Sequence, residues 1–149
     1  KNFFLALAFL LLAGCAASPA APAAPAPQEL TTCEFVARWS DWFQIASTGS
    51  ADALNDIYRD STLDSHIAVL QSAVAEVEAI QVESTGALLR RDTINALKHA
   101  IILFEWLRDD GESVAIRPAF QDDFAQYTDD LKVLQESAAA LYGFCAATE

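Results

Sequence analysis

PAFQDDFAQYTDDLKVLQESAAALYGFCA, residues 118 to 146, carries the pattern that decides the fold. Its apolar positions Phe120, Phe124, Tyr127, Leu131, Leu134, Ala138, Leu141 and Cys145 alternate steps of four and three, which puts them on one stripe of an α-helix and makes a sustained heptad seam. Pro118 suits the first turn, where its missing amide hydrogen would have no intrahelical partner, and Asp122 and Asp123 complement the positive end of the helix dipole.

Working back along the chain, the same periodicity recurs. Ile94, Leu97, Ile101, Phe104 and Leu107 predict a helix over 87–109, with Gly111 as its left-handed cap. Leu63, Ile67, Leu70, Val74 and Val77 predict a helix over 62–83, opened by Ser61-Thr62-Leu63-Asp64, a capping box with Asp in place of Glu. The short connection from Glu83 to Gly86 makes these two helices antiparallel neighbours. The first helix, near 32–47, buries Phe35, Trp39, Trp42 and Ala46 and stops at Gly49. At about 1.5 Å per residue it is roughly 24 Å long against about 40 Å for the last, so residues 51–60 read as a short extra helix completing that layer. Sheet-like alternation is not evident from Leu30 onward. The expectation is an all-α, up-and-down four-helix bundle with a short extra helix.

The cysteines test that topology. Cys33 opens the first helix and Cys145 closes the last, and an even number of up-and-down helices brings those two ends to one pole. A disulfide between them closes a loop of more than 100 residues and stabilises by at most about 4 to 5 kcal/mol in the chain-entropy picture. Free buried thiols are the alternative.

Upstream, KNFFLALAFLLLAG over residues 1–14 places a basic Lys1 before an apolar run and small residues, the pattern of a secretory signal. The run is shorter than the 20 or so residues needed to span a bilayer as a helix. Leu12, Ala13, Gly14 and Cys15 resemble the lipobox of bacterial lipoproteins. The resemblance implies that residues 1–14 are removed, that Cys15 is acylated, palmitate included, and that the product is anchored on the extracytoplasmic side of the bacterial cell envelope. Ala16 after that cysteine is compatible with sorting to the outer membrane in a Gram-negative cell. Two or more acyl chains hold a domain firmly, at about 0.8 kcal/mol per buried methylene. Cys15 then accounts for the odd cysteine. Residues 15–29 comprise this cysteine and a Pro/Ala-rich tether, and 30–149 the bundle domain. Thirteen tether residues in polyproline geometry, at about 3.1 Å each, reach roughly 40 Å.

The formal charge is −12, and loss of Lys1 with the signal leaves eight basic against 21 acidic residues, or −13. That balance disfavours nucleic acid, which needs a basic stripe. The sequence shows no Glu-x-x-His pair for a di-iron centre and no haem motif, and its two histidines are not spaced one turn from a core carboxylate. Asp109, Asp110 and Glu112 around Gly111 miss the calcium-loop spacing and read as solvated surface. No metal or cofactor is expected, and with no nucleophile motif neither is catalysis. Trp39, Trp42 and Trp106, with Arg90 and Arg91 for an anionic head group, are the candidates for an apolar ligand pocket, although bulky seam residues more often form core. The sequence therefore supports a non-catalytic, membrane-tethered protein-interaction module that offers a surface to another envelope protein. The alternative is a small-molecule or lipid carrier binding between the aromatic-rich helices.

Overall fold

The structure, a computed structural model, describes residues 28–49 and 63–147. The extra helix expected at 51–60, the signal segment, Cys15 and the tether up to residue 27 lie outside those residues. Within them the chain is mostly helical, with four α-helices gathered into a bundle: α1 (Thr32–Ser47), α2 (Leu63–Ala79), α3 (Ala87–Asp110) and α4 (Pro118–Ala146). Gly111–Ile116 forms a 3-10 turn between α3 and α4.

Local chemistry sets each boundary. At the start of α1, the Thr31 hydroxyl accepts from the Glu34 amide at 3.2 Å while the Glu34 carboxylate accepts from the Thr31 amide at 2.8 Å. This reciprocal box satisfies two backbone donors that a helix start leaves free. The bond from the Thr31 amide, and second to it one that the Thr31 hydroxyl donates to Glu34 Oε2 at 2.9 Å, hold the Glu34 carboxyl below its ordinary range. Helix α3 stops at Gly111, whose φ of 61° and ψ of −154° lie in a region open essentially to glycine alone. Pro118 occupies the first turn of α4, as its sequence predicts.

Helix α2 ends at Ala79, four residues earlier than the periodicity suggests, and the expectation of no sheet is overturned. Ile80–Val82 (β2) leaves the helix and pairs in parallel with Gln28–Leu30 (β1), in the register Gln28 with Ile80, Glu29 with Gln81 and Leu30 with Val82. Gln28 and Glu29, at the end of the stretch read as tether, thus belong to this ladder. Arg90 holds the break: its guanidinium donates to the carbonyl oxygens of Val77 at 3.0 Å and Glu78 at 2.7 Å, two acceptors that a helix end leaves open. Three residues per strand are too few to produce a readable alternation.

The core is one cluster. Helix α3 contributes Leu89, Ala96, Leu97, Ala100, Leu103 and Phe104, each fully buried, and it packs closely along both α2 and α4. Helix α1 lies against α4 and α3 through Phe35, Val36, Trp42 and Ala46, and touches α2 more lightly. From α4 the buried residues are Phe120, Tyr127, Leu134 and Ala138, members of the predicted seam. The tie between Cys33 and Cys145 is present, with Cα atoms 5.5 Å apart and 112 residues of separation, so the start of α1 and the end of α4 meet.

Two buried details lead to predictions. A methyl group on Gly86 would meet Val82 Cγ1 at 2.4 Å, with Thr32 just beyond, whereas one on Gly143 in α4 meets nothing within 4 Å. Gly86→Ala is expected to lower stability by about 1 to 3 kcal/mol through overpacking. Gly143→Ala is expected to raise it by up to about 1 kcal/mol through helix propensity. Urea unfolding of the two variants reads both signs. The second detail is Tyr127, whose hydroxyl donates to the Ala46 carbonyl at 2.6 Å; burial pushes this phenol well above its ordinary value, with the Gly49 backbone opposing in part. A folded-state pKa above the unfolded one gives stabilisation that is complete below about pH 10 and lost as pH rises through the folded value. The melting temperature is therefore expected to fall above pH 10, and to fall less steeply in Tyr127→Phe.

Candidate functional site

The face shared by α3 and α4 carries the polar chemistry of the domain. Trp106 Nε1 donates to Asp123 Oδ2 at 2.8 Å, His99 Nδ1 bonds Asp130 Oδ2, and the Ser137 hydroxyl donates to Asp92 Oδ2 at 3.0 Å. On α3 the partners are residues 92, 99 and 106, and on α4 they are 137, 130 and 123. Each helix therefore contributes one polar contact every seven residues, two helical turns, in antiparallel register. All three contacts are partly buried, so water competes weakly for them. Asp92 is the most enclosed, at 5% exposure, and also accepts from Nε and Nη2 of Arg91 at 3.0 and 2.7 Å. Asp130 accepts a further bond from Gln126 at 3.0 Å.

The far end of this face opens into a groove. Ile102, Glu105, Trp106, Asp109 and Asp110 line a space of about 260 Å³. Its floor combines an indole, fixed by Asp123, with the exposed apolar side chain of Ile102, and its rim is acidic. Arg108 and Arg117 offset part of that charge, pairing with Asp109 at 2.8 Å and Asp110 at 2.7 Å. The Asp109 carboxyl lies below its usual range, through the Arg108 hydrogen bond first and its charge second. Such a groove suits a partner side chain that is apolar with a basic end.

A second groove, about 450 Å³, lies against the strands at the opposite end of the bundle, lined by Glu29, Leu30, Thr31, Glu34, Gln81, Val82 and Glu83. Two of its carboxylates serve the fold: Glu34 closes the capping box and Glu83 accepts from the Thr32 amide and hydroxyl, each at 3.5 Å.

The candidate pocket residues divide among separate tasks. Trp42, 3% exposed, belongs to the core and stacks obliquely on Phe35. Trp39 is half-buried, stacked on Phe43 at 4.8 Å with the Tyr142 edge at 6.2 Å, and its indole N–H has no hydrogen-bond partner. Trp106 lines the acidic groove. Arg90 caps α2, and Arg91 pairs with Asp92 while remaining largely exposed. The sequence offers all three tryptophans as candidates for one apolar pocket, but α1 and α3 carry them to different depths and levels.

Asp130 and Asp123 are the partners that sequence reading missed. The carboxylate partner of His99 lies 31 residues away across the helix pair, out of reach of any local spacing rule. The available signal was the matching seven-residue spacing of polar groups beside both apolar seams. His66 stacks on Phe104, with ring centres 6.0 Å apart. Among the described residues no hydroxyl or thiol hydrogen-bonds to His99, and no group of three or more metal-ligating side chains assembles.

No family model matches the chain, and no curated protein or solved structure shows significant similarity to it.

The three cross-helix contacts are expected to differ in strength with their burial. Asp92→Ala removes a charged acceptor from an enclosed site and is expected to cost about 1.5 to 3 kcal/mol. Asp123→Ala, nearer to water, is expected to cost about 1 kcal/mol or less. Urea midpoints for the two variants test the order.

Proposed function

We propose that this protein is a non-catalytic lipoprotein of the bacterial envelope: an up-and-down four-helix bundle held on a lipid tether, presenting the Trp106 groove of α3 to another envelope protein. The observation that carries the reading is the Cys33–Cys145 bridge joining the two ends of the bundle. Such bonds persist in oxidising compartments outside the cytosol, the destination that the signal segment and lipobox imply. Antiparallel contacts support the topology. Cys33 meets Cys145, the Tyr142 hydroxyl reaches the Val36 carbonyl at 3.4 Å, and Tyr127 bonds Ala46, so α1 and α4 run in opposite directions. Lys98 pairs with Glu78 at 2.7 Å and Arg108 approaches Asp64 at 3.7 Å, which does the same for α2 and α3.

The groove supplies the partner surface. Its fixed indole and exposed Ile102 give apolar area, and its acidic rim favours a basic partner while opposing a second copy of this acidic chain.

Intact-mass measurement of the protein extracted from its own membrane, before and after reduction, tests address and bridge together. Acyl mass on a chain starting at Cys15, with a gain of two hydrogens on reduction, is the expected result. A Trp106→Ala variant is expected to lose crosslinked protein partners in native membranes while remaining lipidated and folded. A partner pattern identical to that of the unaltered chain would remove the groove from the assignment.

A further inference from the structure

The outward side of α3 breaks its own pattern near the C-terminal end. Ile102, Glu105, Trp106 and Asp109 stand at i, i+3, i+4 and i+7, so they share one face of the helix. Ala100, Leu103, Phe104 and Leu107 are the buried residues of the same turns, which leaves this face turned toward water. Polar or charged groups ordinarily stand there. Glu105 and Asp109 meet that expectation, whereas Ile102, 37% exposed, and the half-buried Trp106 do not. An aromatic anchor beside aliphatic area is the composition of a recognition spot.

The contacts around this spot decide which ligand chemistry it takes. Trp106 Nε1 gives its only donor to Asp123 Oδ2 at 2.8 Å, which holds the ring in place. An indole N–H bonded to an anion is polarised, so the ring face gains electron density and attracts a cation more strongly. The acids beside the ring are not equivalent. Asp109 pairs with Arg108 at 2.8 Å and Asp110 with Arg117 at 2.7 Å. Glu105 has no ion pair or hydrogen bond among the described residues; Arg108, engaged with Asp109 and 3.7 Å from Asp64, acts on it only through space. The groove holds about 260 Å³, below the roughly 300 to 1,000 Å³ of pockets that enclose a drug-sized ligand, so it suits one side chain. The net charge of −12 draws cations toward it from a distance.

We propose that the Trp106 groove receives one arginine side chain of the partner protein, its guanidinium stacked on the indole and bonded to Glu105, its methylene stem lying along Ile102. The proposal rests on the reading of this groove as the partner surface. Arginine suits the site better than lysine for three reasons. Its planar fork stacks on an aromatic face, it meets a carboxylate with two parallel hydrogen bonds, and it is weakly hydrated, so it loses little on entering a half-buried place. An ammonium is a compact, strongly hydrated point charge. An acidic side chain would meet Glu105 and Asp123 and find the guanidiniums of Arg108 and Arg117 already engaged. The same repulsion turns away the acidic surface of a second copy. Asp123 acts here as a positioning residue, through the indole that it holds.

The test uses the full chain extracted from its own membrane into detergent and labelled with nitrogen-15. Its three tryptophans give three indole N–H signals, and the one missing from Trp106→Phe belongs to Trp106. The probes are the peptide acetyl-Ala-Arg-Ala-amide, its lysine counterpart, and its citrulline counterpart, which keeps the shape of arginine without the charge. The arginine peptide is expected to move the Trp106 signal to saturation while those of Trp39 and Trp42 stay in place. The citrulline peptide is expected to bind roughly three- to thirtyfold more weakly, with lysine between the two. Glu105→Gln is expected to weaken the arginine peptide by up to about fivefold and to leave the citrulline peptide and the helical circular dichroism unchanged.

Equal affinity for the arginine and citrulline peptides overturns the proposal, and so does a lysine peptide that binds as tightly as the arginine one. A glutamate counterpart that moves the Trp106 signal further would assign the groove to an acidic partner through Arg108 and Arg117, and overturns it too. Movement of all three indole signals together reports adsorption at no particular place, with the same consequence. The partner reading fails separately. Arginine binding at Trp106, with crosslinks in native membranes unchanged by Trp106→Ala, keeps the guanidinium site and refutes the envelope partner at this groove. Crosslinks lost in Trp106→Ala, with no response to the arginine peptide, keep the partner surface and overturn the arginine.

Discussion

The antiparallel register of α3 against α4 is the constraint on which the remaining structure depends. Apolar seams can slide past one another by a heptad with little change in buried area, because dispersion and the hydrophobic effect are not directional. Polar contacts cannot slide, since each needs its own partner in a partly dry place. The bonds Asp92 to Ser137, His99 to Asp130 and Trp106 to Asp123 recur at one interval, so a slip of one turn would break all three at once. With that register set, Leu97, Leu103 and Phe104 meet Tyr127 and Leu134 at the centre of the core. The 3-10 turn with Gly111 then closes the far end.

The near end is held by different means. Helix α1 is the shortest of the four and packs lightly on α2, so apolar contact secures it less firmly than the others. Three local devices compensate at this pole: the bridge to α4, the ladder between β1 and β2, and the close approach of Gly86 to Val82 and Thr32. Tyr127 pins the opposite end of α1 through the Ala46 carbonyl. The two ends of the bundle consequently differ in character. Where the chain enters, a groove against the strands holds Glu29, Glu34 and Glu83, two of which serve the fold; at the other end an acidic groove has a fixed indole at its surface.

Much of this was legible along the chain. The boundaries of α1, α3 and α4, the glycine cap at Gly111, the place of Pro118 and the pairing of Cys33 with Cys145 all follow from rules with a range of a few residues, or from counting helices. The capping box Thr31-Thr32-Cys33-Glu34 was equally legible and passed unread beside the box sought at Ser61. The end of α2 was not legible. Val77, Ile80 and Val82 continue an apolar pattern, and the chain leaves the helix at Ala79 because Gln28–Leu30 offers backbone partners more than fifty residues away. The candidate site fared in the same manner. His99 and Trp106 stood out as residue types, but their partners, and the separation of Trp39, Trp42 and Trp106 onto different parts of the bundle, depend on which helix faces come together.

Sequence alone determined helices α1, α3 and α4 and their ends, because helix periodicity, caps and special backbone angles are short-range and act before any tertiary contact. It also determined the composition of each helix face, including the uncharged run from Ser137 to Thr148. Tertiary structure alone decided which faces are covered. It paired Asp130 with His99, drew Gln28–Leu30 alongside Ile80–Val82, buried Trp42 while leaving Trp106 in a groove, and brought the end of α4 beside the entry of the chain. These are contacts between residues distant in sequence. Their free energy depends on exclusion of water by the assembled helices, a property that no single segment carries.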